Sequence, residues 1–127
     1  MDAALKARAA ASADKAVALL QELIALQRHG EAAVQARFAA ACEACGATVV
    51  RHRYLPSDVK PREEFAAGIA IDLDMREAVV ARFAGTGGGR SMLVFAHPDG
   101  EPFQPQHGWR HDPFGGAIEN GRLYGWG

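Results

Sequence analysis

The sequence predicts an α/β fold, with N-terminal helices packed on a mixed β-sheet, and three observations carry that prediction. Leu19, Leu23 and Leu26, with Val17, Leu20 and Ile24, recur at helical spacing ahead of Gly30. Thr48 to Leu55 concentrates β-branched and aromatic residues, the signature of a strand. Ala78 to Ala84 and Met92 to Ala96 add two apolar runs of strand length, with Gly85 to Gly89 between them. Helices that lead into strands cover a sheet with their apolar stripes.

Taken in order, a first helix spans Asp2 to His29. Its early alanines favour helix but bury little, so its cohesion rests on the later leucines. Gly30 breaks the run, and a second helix follows from Glu31 to Cys45 with Val34, Phe38, Ala41 and Cys45 on one face. Gly46 stands where a C-terminal cap takes a left-handed conformation cheaply. After the strand at Thr48 to Leu55, Pro56 and Pro61 punctuate a loop with a helical turn at Arg62 to Ala66. The strands at Ala78 to Ala84 and Met92 to Ala96 are joined by a glycine hairpin turn. His97 to Gly116 is an irregular loop, rich in proline and glycine, of the kind that carries function. Ile118 to Tyr124, broken by Asn120-Gly121, is a tight β-hairpin.

Composition removes several function classes. The chain has 127 residues, 49% hydrophobic and 23% charged, within the range of one ordinary globular domain. A net charge of −1 provides no basic field for nucleic acid or an acidic membrane surface. No apolar run reaches the length of a membrane span. Asp14, Lys15, Gln21 and Glu22 interrupt the N-terminal alanines, so no secretory core is read there. A cytoplasmic location is the expectation. Two cysteines make no disulfide framework.

Candidate chemistry centres on Leu93-Val94-Phe95-Ala96-His97-Pro98-Asp99, where an apolar run ends in a histidine with a carboxylate two residues on. That suits the mouth of a buried strand, with Asp99 accepting a hydrogen bond from the His97 ring, as carboxylates do behind metal-bound histidines. Taken alone, the pair also fits a loop with satisfied hydrogen bonds. His107 and His111, four apart, are read as solvated loop residues because Gly108 and Pro113 oppose a helix; the alternative joins them to His97 in a mononuclear site. His29 and His52 are isolated and exposed. Cys42-x-x-Cys45 sits at a helix end, where the dipole disfavours a thiolate, and is read as a pair of small core-facing residues rather than a redox dithiol. The glycine turn lacks the Lys-Ser/Thr of a phosphate loop. Glu63, Glu64, Asp72, Asp74 and Glu77 are read as solvated surface. Trp109, Phe114, Tyr124 and Trp126 either line a cleft or plug the loop against the sheet, with the plug preferred.

Three ordered blocks then resemble one family: His97-Pro98-Asp99-Gly100-Glu101-Pro102, Trp109-Arg110-His111-Asp112-Pro113-Phe114, and Gly121 to Gly127. They are similar to the zinc-dependent deacylases and exopeptidases that include acetylornithine deacetylase, succinyl-diaminopimelate desuccinylase, carboxypeptidase G and aminoacylase. Leu19 to Leu26 and Ala78 to Ala96 fit that family's first helix and strand-turn-strand more loosely. Trp126 stands where arginine is common, and Glu101 where an apolar residue usually precedes the proline.

The resemblance implies that residues 1–127 are the incomplete N-terminal part of a zinc-exopeptidase-like catalytic domain, ahead of the bridging aspartate and the glutamate base. It implies that His97 ligates one of two zinc ions, and that Asp99, the other catalytic-site residue, orients His97. The implied substrate is an N-acyl amino acid or small peptide, cleaved at an amide by a metal-activated water, with a homodimer as an option for the full-length protein. Residues 1–127 alone are expected to bind zinc weakly, to hydrolyse nothing, and to associate through an open sheet edge. The alternative is a self-sufficient α/β binding module whose His97 loop meets a partner.

Overall fold

The computed structural model describes residues 2–59, 75–100, 103, 105 and 108–126. The expected turn at Arg62 to Ala66, the carboxylates Glu63, Glu64, Asp72 and Asp74, and His107 lie outside them. The class is α/β: two helices and two small antiparallel sheets. The chain divides into two compact units, residues 1–34 with 94–127 and residues 35–93.

In the first unit, α1 runs Ala3–Leu26 and passes into a 3-10 turn at Gln27–His29. Asp2 caps it, its carboxylate accepting from the Ala4 amide at 3.0 Å and answering one of the orphan donors of a helix start. The alanine-rich first half is exposed throughout, and Ile24 is the one buried residue of α1. The hairpin pairs β3 (Ala117–Glu119) with β4 (Arg122–Tyr124), Ile118 opposite Leu123. Its turn is Asn120-Gly121, with φ of 51° and 73°; both residues are left-handed, the combination that makes this dipeptide the preferred two-residue hairpin turn. The hairpin is tied to α1 by Gln21, whose Nε2 donates to the Gly116 carbonyl at 2.6 Å.

α2 spans Glu31–Ala44 and carries the boundary between the units. It ends as its glycine predicts. Gly46 sits at φ 87°, its amide donating to the Glu43 carbonyl and the Ala47 amide to the Cys42 carbonyl, which together close the helix end. The buried positions are Val34, Gln35, Ala39 and Cys42, whereas Phe38 and Cys45 are exposed. The buried face is therefore rotated from the expected Val34–Phe38–Ala41–Cys45 stripe. A polar residue, Gln35, belongs to it because its side-chain amide has a partner, the Glu77 carbonyl.

In the second unit, β1 (Thr48–Tyr54) pairs antiparallel with β2 (Arg76–Arg82), Val50 opposite Val80 and Arg53 opposite Glu77. Glu77 accepts from Arg51 at 3.0 Å and from Arg53 at 3.5 Å, a cross-strand cluster rather than the solvated carboxylate expected.

The mixed sheet is not present among the described residues, and neither is its third strand. Met92 to Ala96 is irregular, with Met92, Leu93, Val94 and Phe95 exposed by 86, 84, 77 and 88%. Gly85 to Gly89 consequently forms a bend and no hairpin. The physical reason is that a strand exists only by pairing. An apolar run of strand length has no ladder of its own, and no described segment offers it one.

Candidate functional site

His97 and Asp99 meet in the first unit, though not at the mouth of a buried strand. The His97 side chain is 86% exposed and that of Asp99 63%. His97 Nδ1 lies 3.0 Å from the Asp99 carbonyl oxygen and 3.3 Å from Asp99 Oδ1. Both neighbours are acceptors, so Nδ1 is the nitrogen that carries the proton in the neutral ring. Nε2 is left with its lone pair. The hydrogen bond runs to the backbone carbonyl of Asp99, and the carboxylate named from the spacing lies just beyond it. A contact this exposed contributes little to stability, so its consequence is orientation.

Two further groups fix the loop. Gln27 Nε2 donates to the Pro98 carbonyl at 3.0 Å. Gly100 lies beside the Trp126 indole, whose Nε1 an added Cβ would meet at 3.7 Å. Neither Gln27 nor the adjacent Arg28 is signalled by sequence spacing, because their partners lie 71 and 84 residues away.

The second block is a folded turn. Asp112 accepts from the Phe114 amide at 2.9 Å through Oδ1, from Arg28 at 3.3 Å through Oδ2, and from the Gly115 amide at 2.9 Å through its carbonyl. Asp112 thus builds the loop, as aspartate ahead of proline does in turns. The Trp126 amide donates to the Pro113 carbonyl at 2.6 Å, joining this block to the third. The rings of Phe103, Trp109 and Trp126 contact one another with centroids 5.4–6.4 Å apart, and Phe114 joins at 5.2 Å from Phe103. These rings pack on one another as one aromatic cluster, with Trp109 at its exposed side, while Tyr124 packs elsewhere.

His111 is not the solvated loop residue expected. Its ring packs on Tyr124 at 4.7 Å, and its buried Nε2 faces Glu119 Oε2 at 3.4 Å without a hydrogen bond. Arg110 holds the other Glu119 oxygen at 2.7 Å. Among the described residues no group of three His, Cys, Asp or Glu side chains is gathered as a metal site would require. His29 and His52 are exposed, as read.

Of the two cysteines only Cys42 faces the core, and Cys45 is exposed. Burial pushes the Cys42 thiol up, with Cys45 and Glu43 adding to the effect. As pH rises past the unfolded-state value the unfolded thiol ionises first, so stability falls between that value and the raised folded one, in the alkaline range. Below that range Cys42 is a neutral packed group. Iodoacetamide at pH 8 is expected to alkylate Cys45 at least about tenfold faster than Cys42, read by peptide mass spectrometry. Equal rates would contradict the assignment of Cys42 to the interior.

Comparison with family models, with curated proteins and with solved structures yields no match. Among the described residues no helix is long and apolar enough to cross a membrane.

Proposed function

We propose that this chain supplies the first metal-ligand loop of a zinc-dependent amidohydrolase, with His97 as the ligand and Asp99 as the group that orients it. The observation that carries the reading is the His97–Asp99 geometry, in which Nδ1 faces two acceptors of Asp99 and Nε2 is left to a ligand. Support also comes from the interlocking of the three motif blocks: Gly100 against Trp126, and Pro113 hydrogen-bonded to Trp126. The exposed run Met92–Phe95 is what a strand of a wider sheet looks like without its neighbours.

The donor set fits one coordination position and no more. Bound zinc polarises a carbonyl and lowers the pKa of water, the chemistry that amide cleavage in an N-acyl amino acid or small peptide calls for. A single imidazole holds zinc far more weakly than the about 10–16 kcal/mol of a complete structural site. Residues 1–127 alone are therefore expected to bind zinc weakly and to show no chelator-sensitive hydrolysis.

The test is a zinc titration of the 15N-labelled chain followed at the histidine rings. His97 Nε2 is expected to respond first, and His97→Ala to abolish that response while changing stability by no more than about 0.5 kcal/mol, as befits an exposed side chain. If His97→Ala leaves zinc affinity unchanged, the metal reading fails and the α/β binding module becomes the better account.

A further inference from the structure

We infer that Gln27 is the positioning residue of the His97 loop, acting from the end of α1 through the Pro98 carbonyl. This rests on the metal-ligand reading above for its consequence, though not for its geometry. Between His97 and Asp99 the backbone has few soft torsions, and proline removes one of them by fixing its own φ. Proline also confines the residue before it to extended values, so the freest torsion left is the rotation of the peptide plane that follows Pro98. The Gln27 amide grips the oxygen of that plane at 3.0 Å. With φ closed by the ring and the carbonyl direction held by Gln27, Asp99 is delivered opposite His97 Nδ1, where its carbonyl and Oδ1 lie 3.0 and 3.3 Å away. A mobile peptide plane would let Asp99 swing off the ring, and both tautomers would then be populated.

The anchor itself is firm. Gln27 opens the 3-10 turn, with its own amide donating to the Ile24 carbonyl. Ile24 is buried, and Gln21 one turn earlier holds the Gly116 carbonyl. The next residue, Arg28, grips Asp112 and lies over the Phe114 ring at 5.4 Å. One turn of chain therefore holds the His97 loop with Gln27 and the Trp109–Phe114 block with Arg28. The contact needs a hydrogen-bond donor at position 27. A carbonyl oxygen only accepts, so a carboxylate there would repel it, and an apolar side chain would leave the plane unheld.

Gln27→Met keeps the length and helix preference of the side chain and removes the donor without adding a charge that could itself attract a cation. In the full chain, His97 is expected to show the ring 15N shifts of a single Nδ1-protonated tautomer. In Gln27→Met those shifts should move toward the averaged pattern of free imidazole, and the apparent zinc affinity at His97 should fall about three- to tenfold, the scale of one hydrogen bond. A purely structural role would lower the melting midpoint and leave the ring shifts alone at temperatures well below the melt. Unchanged ring shifts and zinc midpoint in a folded variant overturn the inference. If zinc ignores His97 in the wild type while Gln27→Met still moves its ring shifts, the positioning role stands and the metal reading falls. Should the variant fail to fold, the wild type decides: slowed exchange of the Gln27 side-chain protons with cross-peaks to Pro98 and Asp99 supports the contact, and their absence overturns it.

Discussion

Gly125→Ala is expected to destabilise the helix–hairpin unit by about 1–3 kcal/mol, the cost of overpacking. The reason is one contact. An added Cβ at Gly125 would lie 2.7 Å from both Cδ1 and Cγ2 of Ile24, closer than real Cβ atoms approach. Cγ2 is a branch at Cβ, so rotating the end of the side chain cannot clear both atoms. Ile24 is 7% exposed and is the one buried side chain of α1. Ile24→Ala alone should cost about 2–4 kcal/mol through the cavity it leaves. The two changes together should cost clearly less than their sum, because the methyl added at position 125 enters the space vacated at position 24. Urea denaturation of the four chains gives the coupling energy directly. Additive costs would mean that Gly125 and Ile24 do not share a contact.

Much of this arrangement is legible before any coordinates. Leucine spacing locates α1, Gly46 closes α2, and Asn120-Gly121 marks the hairpin turn to the residue. These are local signals, each carried by a few neighbouring residues whose conformation they determine. The contact between His97 and Asp99 is legible for the same reason, the two being two apart on one segment. What sequence spacing misreads is non-local. Met92 to Ala96 has the composition of a strand, but strand formation depends on a partner that composition does not name. The α2 face is misread because Gln35 counts as polar, while its burial depends on a carbonyl 42 residues away. His111 is misread because its packing partner, Tyr124, comes from the hairpin. Gln27 carries no signal at all, since its role appears only when Pro98 is brought beside it. The contacts read from sequence are thus those between near neighbours in the chain, and the contacts missed are those between residues far apart in it.

Gln35→Ala should cost the β1–β2 unit about 1–3 kcal/mol, the penalty for removing the partner of a buried polar group. Gln35 is 6% exposed, and its Nε2 donates to the Glu77 carbonyl at 2.5 Å, joining α2 to β2 at the residue that pairs across the sheet with Arg53. The side chain of that same Glu77 accepts from Arg51 and Arg53, whose side chains are 42 and 76% exposed, so those ion pairs add little by themselves. The carbonyl bond is one contact that joins β2 to the helix. Gln35→Leu separates the two contributions, since it restores volume and not the donor. If the hydrogen bond dominates, alanine and leucine variants lose comparable stability, and amide exchange speeds up along β1 and β2 in both. If burial of the side chain dominates, leucine recovers most of the loss. A leucine variant as stable as the wild type would show that α2 holds the sheet by packing alone, and that the amide is tolerated there rather than required.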